Sequence, residues 1–174
     1  MSRIIFIFII LISSVAKAGF FSNISNIIEN NNNRLSYGIS VTDFDKDGSY
    51  EFIVAGFGYS NLALSYKNGK LINTIEDPIF IDEDRNTIGV SACDIDQDGF
   101  EEIYFLNTDT YSGEKKYSDR LLDNETNIFD YFEIDENFKN LNLTAGRSVV
   151  CVDREGLGKY GIYVANYGGP TRFY

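Results

Sequence analysis

Three stretches of the chain share one alternation of apolar and polar positions. Residues 38–58 read GISVTDFDKDGSYEFIVAGFG, residues 89–109 read GVSACDIDQDGFEEIYFLNTD, and residues 147–169 read RSVVCVDREGLGKYGIYVANYGG. Each opens with a short strand-like run, passes through an acidic loop containing Gly, and ends in an apolar run rich in β-branched and aromatic residues. The first loop acids, Asp43, Asp94 and Asp153, are 51 and 59 residues apart. That period is the size of a propeller blade rather than a shorter solenoid turn.

The intervals supply further strands. Residues 62–66 and 71–75 flank Asn68-Gly69, a strong hairpin signal. Leu121-Leu122 and residues 128–134 flank a polar turn at Asn124. No long stretch has a 3.6-residue apolar period. The pattern therefore predicts an all-β chain, a partial β-propeller of about three blades with roughly four strands each. The expected divisions are a first blade over 37–88, a second over 89–146 and the start of a third over 147–174. Residues 19–36 form a lead-in, whose Asn30-to-Asn33 run is low in complexity and expected to be mobile.

Composition narrows the chemistry. The 174 residues carry 26 acids against 15 bases, a net charge of −11, which disfavours nucleic acid as a partner and favours cations. There is no His, so His-based triads, His general bases and His-ligated zinc are excluded. Residues 1–18 read as a signal peptide: Arg3, an apolar run from Ile4 to Val15, then Ala16-Lys17-Ala18 as a cleavage site. The run is about 12 residues, too short for a span of about 20. No later segment is long and apolar enough to cross, so the expectation is a secreted, extracellular chain with no membrane span after cleavage. Loss of Arg3 and Lys17 takes the charge from −11 to −13. Export makes the sequons at Asn23, Asn124 and Asn142 usable.

It also permits a disulfide between Cys93 and Cys151. Aligning the loops at their first Asp, however, sets Cys151 opposite Ala92. Side chains alternate along a strand, so the thiols should face opposite ways on equivalent strands. This favours two separate buried thiols over a bridge.

The first two loops fit D-x-D-x-D-G-x-x-E, with Asp43, Asp45, Asp47 and Glu51 in one and Asp94, Asp96, Asp98 and Glu102 in the other. Acids at alternate positions can wrap one hard cation, and Ca²⁺ takes six to eight oxygens at about 2.3–2.6 Å. Gly48 and Gly99 allow the sharp turn. An EF-hand needs an acid at position 12, where this chain has Val54 and Phe105, and flanking helices, where it has β-like runs. A pair of plain polar turns would leave several carboxylates repelling one another. The third loop keeps Asp153 and Glu155 but has Leu157 and Gly161 at positions five and nine, so it is not expected to hold an ion.

The loop with its following strand, ending in Phe57-Gly58, resembles the FG-GAP (VCBS) repeat of integrin-α-like β-propellers. Residues 93–109, then Tyr111-Ser112-Gly113 and residues 145–166, are similar to the cartilage acidic protein family, which also carries ASPIC/UnbV and EGF-like parts. The resemblance implies a secreted Ca²⁺-binding glycoprotein that engages an extracellular protein or glycan in matrix or at cell surfaces, without catalysis. This sequence covers only an N-terminal portion of such a protein and has no RGD. Three blades cannot close a propeller, so two radial edges should remain exposed. The competing readings are a carboxylate-based hydrolase on a propeller and a truncated non-functional fragment.

Overall fold

The computed structural model describes residues 21–139 and 141–174. The expected signal peptide lies outside the described residues. The described residues form three antiparallel sheets. The first contains β1 (Leu35–Thr42), β2 (Glu51–Phe57), β3 (Leu62–Lys67) and β4 (Lys70–Asn73) in that order. The second contains β5 (Thr87–Cys93), β6 (Glu102–Asn107), β7 (Arg120–Asn124) and β8 (Ile128–Asp130). The third contains β9 (Gly146–Val152), β10 (Gly161–Asn166) and β11 (Arg172–Phe173). All are meanders, and among the described residues they do not close into a ring.

The sheets pack face against face, with β5 lying between β1 and β9. The inner strands come close because Gly stands where they meet. A methyl group on Gly38 would lie 2.8 Å from the Gly89 Cα, so only Gly fits there. Period-two alternation then divides the apolar residues between two seams. Ile103 and Phe105 of β6 point into the first seam with Ile53, Phe44 and Phe80. Tyr104 and Leu106 point into the second with Ile162 and Val164. Every residue of β6 is buried, which is why its sequence is a continuous apolar run. On the far side of the first sheet, Leu35, Tyr37, Ile39 and Val41 are 52%, 60%, 63% and 48% exposed, an apolar face that nothing covers among the described residues.

Two sequence expectations need correction. Residues 128–134 are not one strand: β8 stops at Asp130, whose carboxylate accepts from the Phe132 N–H and caps a single helical turn, α2 (Tyr131–Ile134). Before the Asn30-to-Asn33 run, the lead-in touches the first sheet: the Glu29 N–H donates to the Leu71 carbonyl at 2.9 Å beside a bridge between Ile28 and Leu71. Most clearly, Cys93 and Cys151 are bonded as a disulfide, with Cα atoms 6.1 Å apart. The alternation reading was sound but its consequence was inverted. Cys93 and Cys151 sit on different sheets, and a side chain leaving one sheet forwards meets one leaving the next sheet backwards. Opposite faces of equivalent strands are the faces that share a seam, and both cysteines lie in the second one. By the loop-closure relation, a bridge across 58 residues stabilises the fold by about 4 kcal/mol.

Candidate functional site: two acidic loops on one rim

The loops joining the first two strands of each sheet share one frame. The position-one carboxylate accepts the position-six N–H: Asp43 from Gly48 at 3.0 Å, Asp94 from Gly99 at 3.1 Å, Asp153 from Gly158 at 2.8 Å. In the first two loops the other acids repeat as well. Asp45 and Asp96 accept from the Asp47 and Asp98 N–H groups at 3.2 and 3.1 Å. Asp47 and Asp98 accept from Ser49 and Phe100, both at 2.8 Å. Glu51 and Glu102, at the starts of β2 and β6, reach back to the Phe44 and Ile95 N–H groups at 3.1 and 2.7 Å.

This frame brings acids together twice. Oxygens of Asp43, Asp45 and Glu51 lie within 4.8 Å of one another, as do those of Asp94, Asp96 and Glu102. Asp47 and Asp98, also named from the sequence as candidate ligands, fall outside these tight groups. Asp47 lies 3.9 Å from Lys67 and Asp98 lies 3.7 Å from Lys46. The donor set suits a hard cation such as Ca²⁺: all oxygen, clustered and anionic. A physical sign points the same way. The outer oxygens Asp43 Oδ1 and Asp94 Oδ1, and Oε1 of Glu102, are buried with no hydrogen-bond partner. Buried acceptors are normally paired, and an unpaired carboxylate oxygen is expensive.

Burial drives the electrostatics. Glu102 is pushed up to about 7, first by burial and then by the neighbouring charges of Asp96 and Asp123. Glu51 is also raised by burial and by Asp45, while the Ser65 hydroxyl pulls it back down. A cation in either cluster would remove these penalties.

The sequence reading missed Ser65, Asp123, Tyr131 and Lys46. Ser65 donates to Glu51 Oε1 at 3.0 Å. Tyr131 donates to Asp96 Oδ2 at 2.9 Å and lies 3.3 Å from Asp123 Oδ2. Setting Leu64-Ser65 against Leu122-Asp123 as equivalent third-strand pairs would have found two of them.

The third loop closes differently. Asp153 also accepts from the Leu157 N–H at 3.1 Å, and Glu155 turns to Arg154 at 2.7 Å. Backbone donors hold the Asp153 carboxyl below its ordinary value. Among the sequons, the Asn142 amide is fully buried and donates to Asp119 and Asn166, which leaves no room for a glycan in the folded chain. Asn124 donates to the Phe44 carbonyl at 2.8 Å, and Asn23 is exposed.

Comparison with known proteins agrees with this frame. Residues 43–105 match the FG-GAP-like repeat family. The chain is 46% identical over 151 residues to cartilage acidic protein 1 of Homo sapiens and, equally, of Mus musculus. Against the Xenopus tropicalis protein the identity is 44%. These alignments take in 80% of this chain but 23% of each relative's length. The chain thus carries an FG-GAP-like repeat over residues 43–105 and is similar over most of its own length to cartilage acidic protein 1.

Proposed function

We propose that this chain is a secreted calcium-binding module, part of a β-propeller, that serves adhesion or assembly in extracellular matrix or at cell surfaces and does no catalysis. The observation that carries the proposal is the repeated acidic cluster with buried oxygens lacking partners. Asp43, Asp45 and Glu51 would hold one ion, and Asp94, Asp96 and Glu102 a second, with Asp47 and Asp98 completing the shells. The ion would supply charge neutralisation and fix the loops on one rim. Similarity to cartilage acidic protein 1 supports an extracellular-matrix setting. The disulfide fits an oxidising compartment. The aspartates at positions one, three and five of both loops accept backbone N–H groups of their own turns, which fits a structural use of these acids. The open apolar face on β1 fits a segment that packs against a further sheet of the same kind.

Calorimetric titration of chelator-treated protein with Ca²⁺ tests the reading. The expected result is two bound ions and a rise in melting temperature. No heat and no thermal shift at millimolar Ca²⁺ would overturn it. Capture of matrix proteins with and without chelator then tests whether ordered loops are needed for partner binding.

A further inference from the structure

The two clusters share a frame, but their third strands differ. In the first sheet Phe52 pairs with Leu64, and one residue on, Ser65 lies beside Glu51. In the second sheet Ile103 pairs with Leu122, and one residue on, Asp123 takes the place of Ser65 beside Glu102. The exchange reverses the local chemistry. Ser65 is a donor and satisfies Glu51 Oε1 at 3.0 Å. An aspartate has no proton to give, and Glu102 Oε1 is left without a partner. Both groups are sealed from water: Glu102 is 1% and Asp123 is 2% exposed.

Positive charge near Asp123 is sparse. Lys46, from the loop of the neighbouring sheet, lies 4.0 Å from Asp123 Oδ1 and 3.7 Å from Asp98 Oδ2, and its ammonium rests 4.4 Å above the Phe100 ring. It is an ion-pair contact at the edge of range, shared between two acids. The Tyr131 hydroxyl faces Asp96 Oδ2 and Asp123 Oδ2 and can donate its single proton to one of them. Asp123 Oδ1 also accepts from the Asn124 N–H at 2.5 Å and Glu102 Oε2 from the Ile95 N–H at 2.7 Å, which leaves Glu102 Oε1 as the oxygen of this dehydrated pair that no donor serves.

We propose that Asp123 is a fifth carboxylate of the second cation site, which makes that site the tighter of the two and the first to fill. The inference rests on the calcium reading above and deepens it. A divalent ion held by Asp94, Asp96 and Glu102 neutralises Asp123 either directly or through a bound water. The first site, with Ser65 already serving Glu51, gains less from its ion. Affinity in such oxygen cages rises with ligand charge.

Titration of the full chain with Ca²⁺ alone tests this, using wild type, Asp123→Asn and Ser65→Asp. Asn is the same size and can donate to Glu102 as Ser65 does to Glu51. The wild type is expected to bind two ions of unequal affinity. Asp123→Asn should weaken the tighter site by about tenfold or more and leave the other unchanged, and Ser65→Asp should tighten the weaker one. A Asp43→Asn variant assigns the sites, because the binding that survives must be the tight one. Uptake of no Ca²⁺ by the wild type would overturn the calcium reading and this inference with it. Two ions bound with affinities indifferent to both substitutions, or a tight site lost in Asp43→Asn, would overturn this inference alone. Should Asp123→Asn misfold by circular dichroism, the gain expected from Ser65→Asp decides the matter.

Discussion

The third loop is an internal control for the first two. All three turn on one hydrogen bond, from the position-six N–H to the position-one aspartate. All three have left-handed backbone at positions four and six, but they meet that demand with different residues. The third loop has Gly156 and Gly158, at φ 69° and 74°. The first two have glycine only at position six, and carry Lys46 and Gln97 at position four with φ 58° and 67°. A side chain there costs about 1–2 kcal/mol. So the loop without an acid cluster has a relaxed backbone. The loops with clusters bear both backbone strain and charge repulsion. One aspartate suffices to make the turn, and the acids at positions three and nine are surplus to it. A cation, as proposed above, would offset the charge repulsion.

The largest effect expected from this contrast is on stability with and without calcium. At about 1 mM Ca²⁺ and a Kd of about 0.1 mM, a typical extracellular value, each site contributes about 1.4 kcal/mol, or about 3 kcal/mol for two. Chelation should remove this amount, read as a drop in denaturation midpoint. The double variant Asp45→Asn, Asp96→Asn should start from the chelated value and ignore calcium, because position three lies outside the turn-closing bond. Asp153→Asn should leave the calcium response intact. A calcium response that survives the double variant would place the ion elsewhere.

The contrast should also resist transplantation. Position nine of the third loop is Gly161, where a methyl group would lie 2.6 Å from the Tyr174 carbonyl oxygen. That backbone is fixed by paired hydrogen bonds between Ile162 and Tyr174 at 3.0 and 2.9 Å. Gly161→Ala is therefore expected to cost about 1–3 kcal/mol, measured by urea unfolding. Leu157→Asp with Gly161→Glu should not create a third calcium site. Packing of the third sheet against its last strand explains why acids at these positions would not rebuild the cluster.

Much of this was legible in the sequence because it is local. The D-x-D-x-D-G-x-x-E spacing depends on residues within nine positions of one another, and the loops bring the acids at positions one, three and nine together while Asp47 and Asp98 at position five stay outside the groups. The strands followed from alternation and from Asn68-Gly69, whose φ values of 54° and 83° are those of the hairpin turn. What was not legible depends on which sheet faces which. Alternation gave Cys93 and Cys151 opposite faces, but only the stacking of sheets makes opposite faces meet. Ser65 and Asp123 join the clusters across a strand pair, at separations of 14 and 21 residues from Glu51 and Glu102. The short turn α2 was hidden because Tyr131, Phe132 and Ile134 read as strand, while Asp130 acts as its cap.

Proton linkage gives a sharper separation of the second loop from the third. Glu102 sits at about 7 in the ion-free fold, raised mainly by burial, against about 4.3 in an unfolded chain. A raised carboxyl stabilises the fold below its unfolded value, and that contribution is lost as pH climbs through its folded value. Chelated protein should therefore lose stability from this group between about pH 4.3 and about 7. Asp153 runs the other way: its carboxyl is lowered, so its contribution is present above the ordinary Asp value and falls away in acid. Calcium should abolish the first trend and leave the second. Denaturation midpoints across pH, with and without chelator, check both signs, and Glu102→Gln should remove this group's share of the chelated slope while that of the other raised carboxyls, Glu51, Asp82, Asp119 and Asp130, remains.

The smallest effects isolate the backbone itself. No atom lies within 4 Å of where a Gly156 side chain would begin, so Gly156→Ala adds no clash. It does force a left-handed alanine, at a cost of about 1 kcal/mol. The reverse exchange, Gln97→Gly, relieves a strained φ of 67° but gives the unfolded chain more freedom to lose, so the net gain should be near 0.5 kcal/mol. Both substitutions act on the fold whether or not the ion is present, because the turn keeps its shape. Their effects should therefore be equal in calcium and in chelator, unlike every carboxylate variant. If Gln97→Gly stabilised the chelated protein alone, the turn would have to change conformation on binding, and position four would report on the ion rather than on the turn.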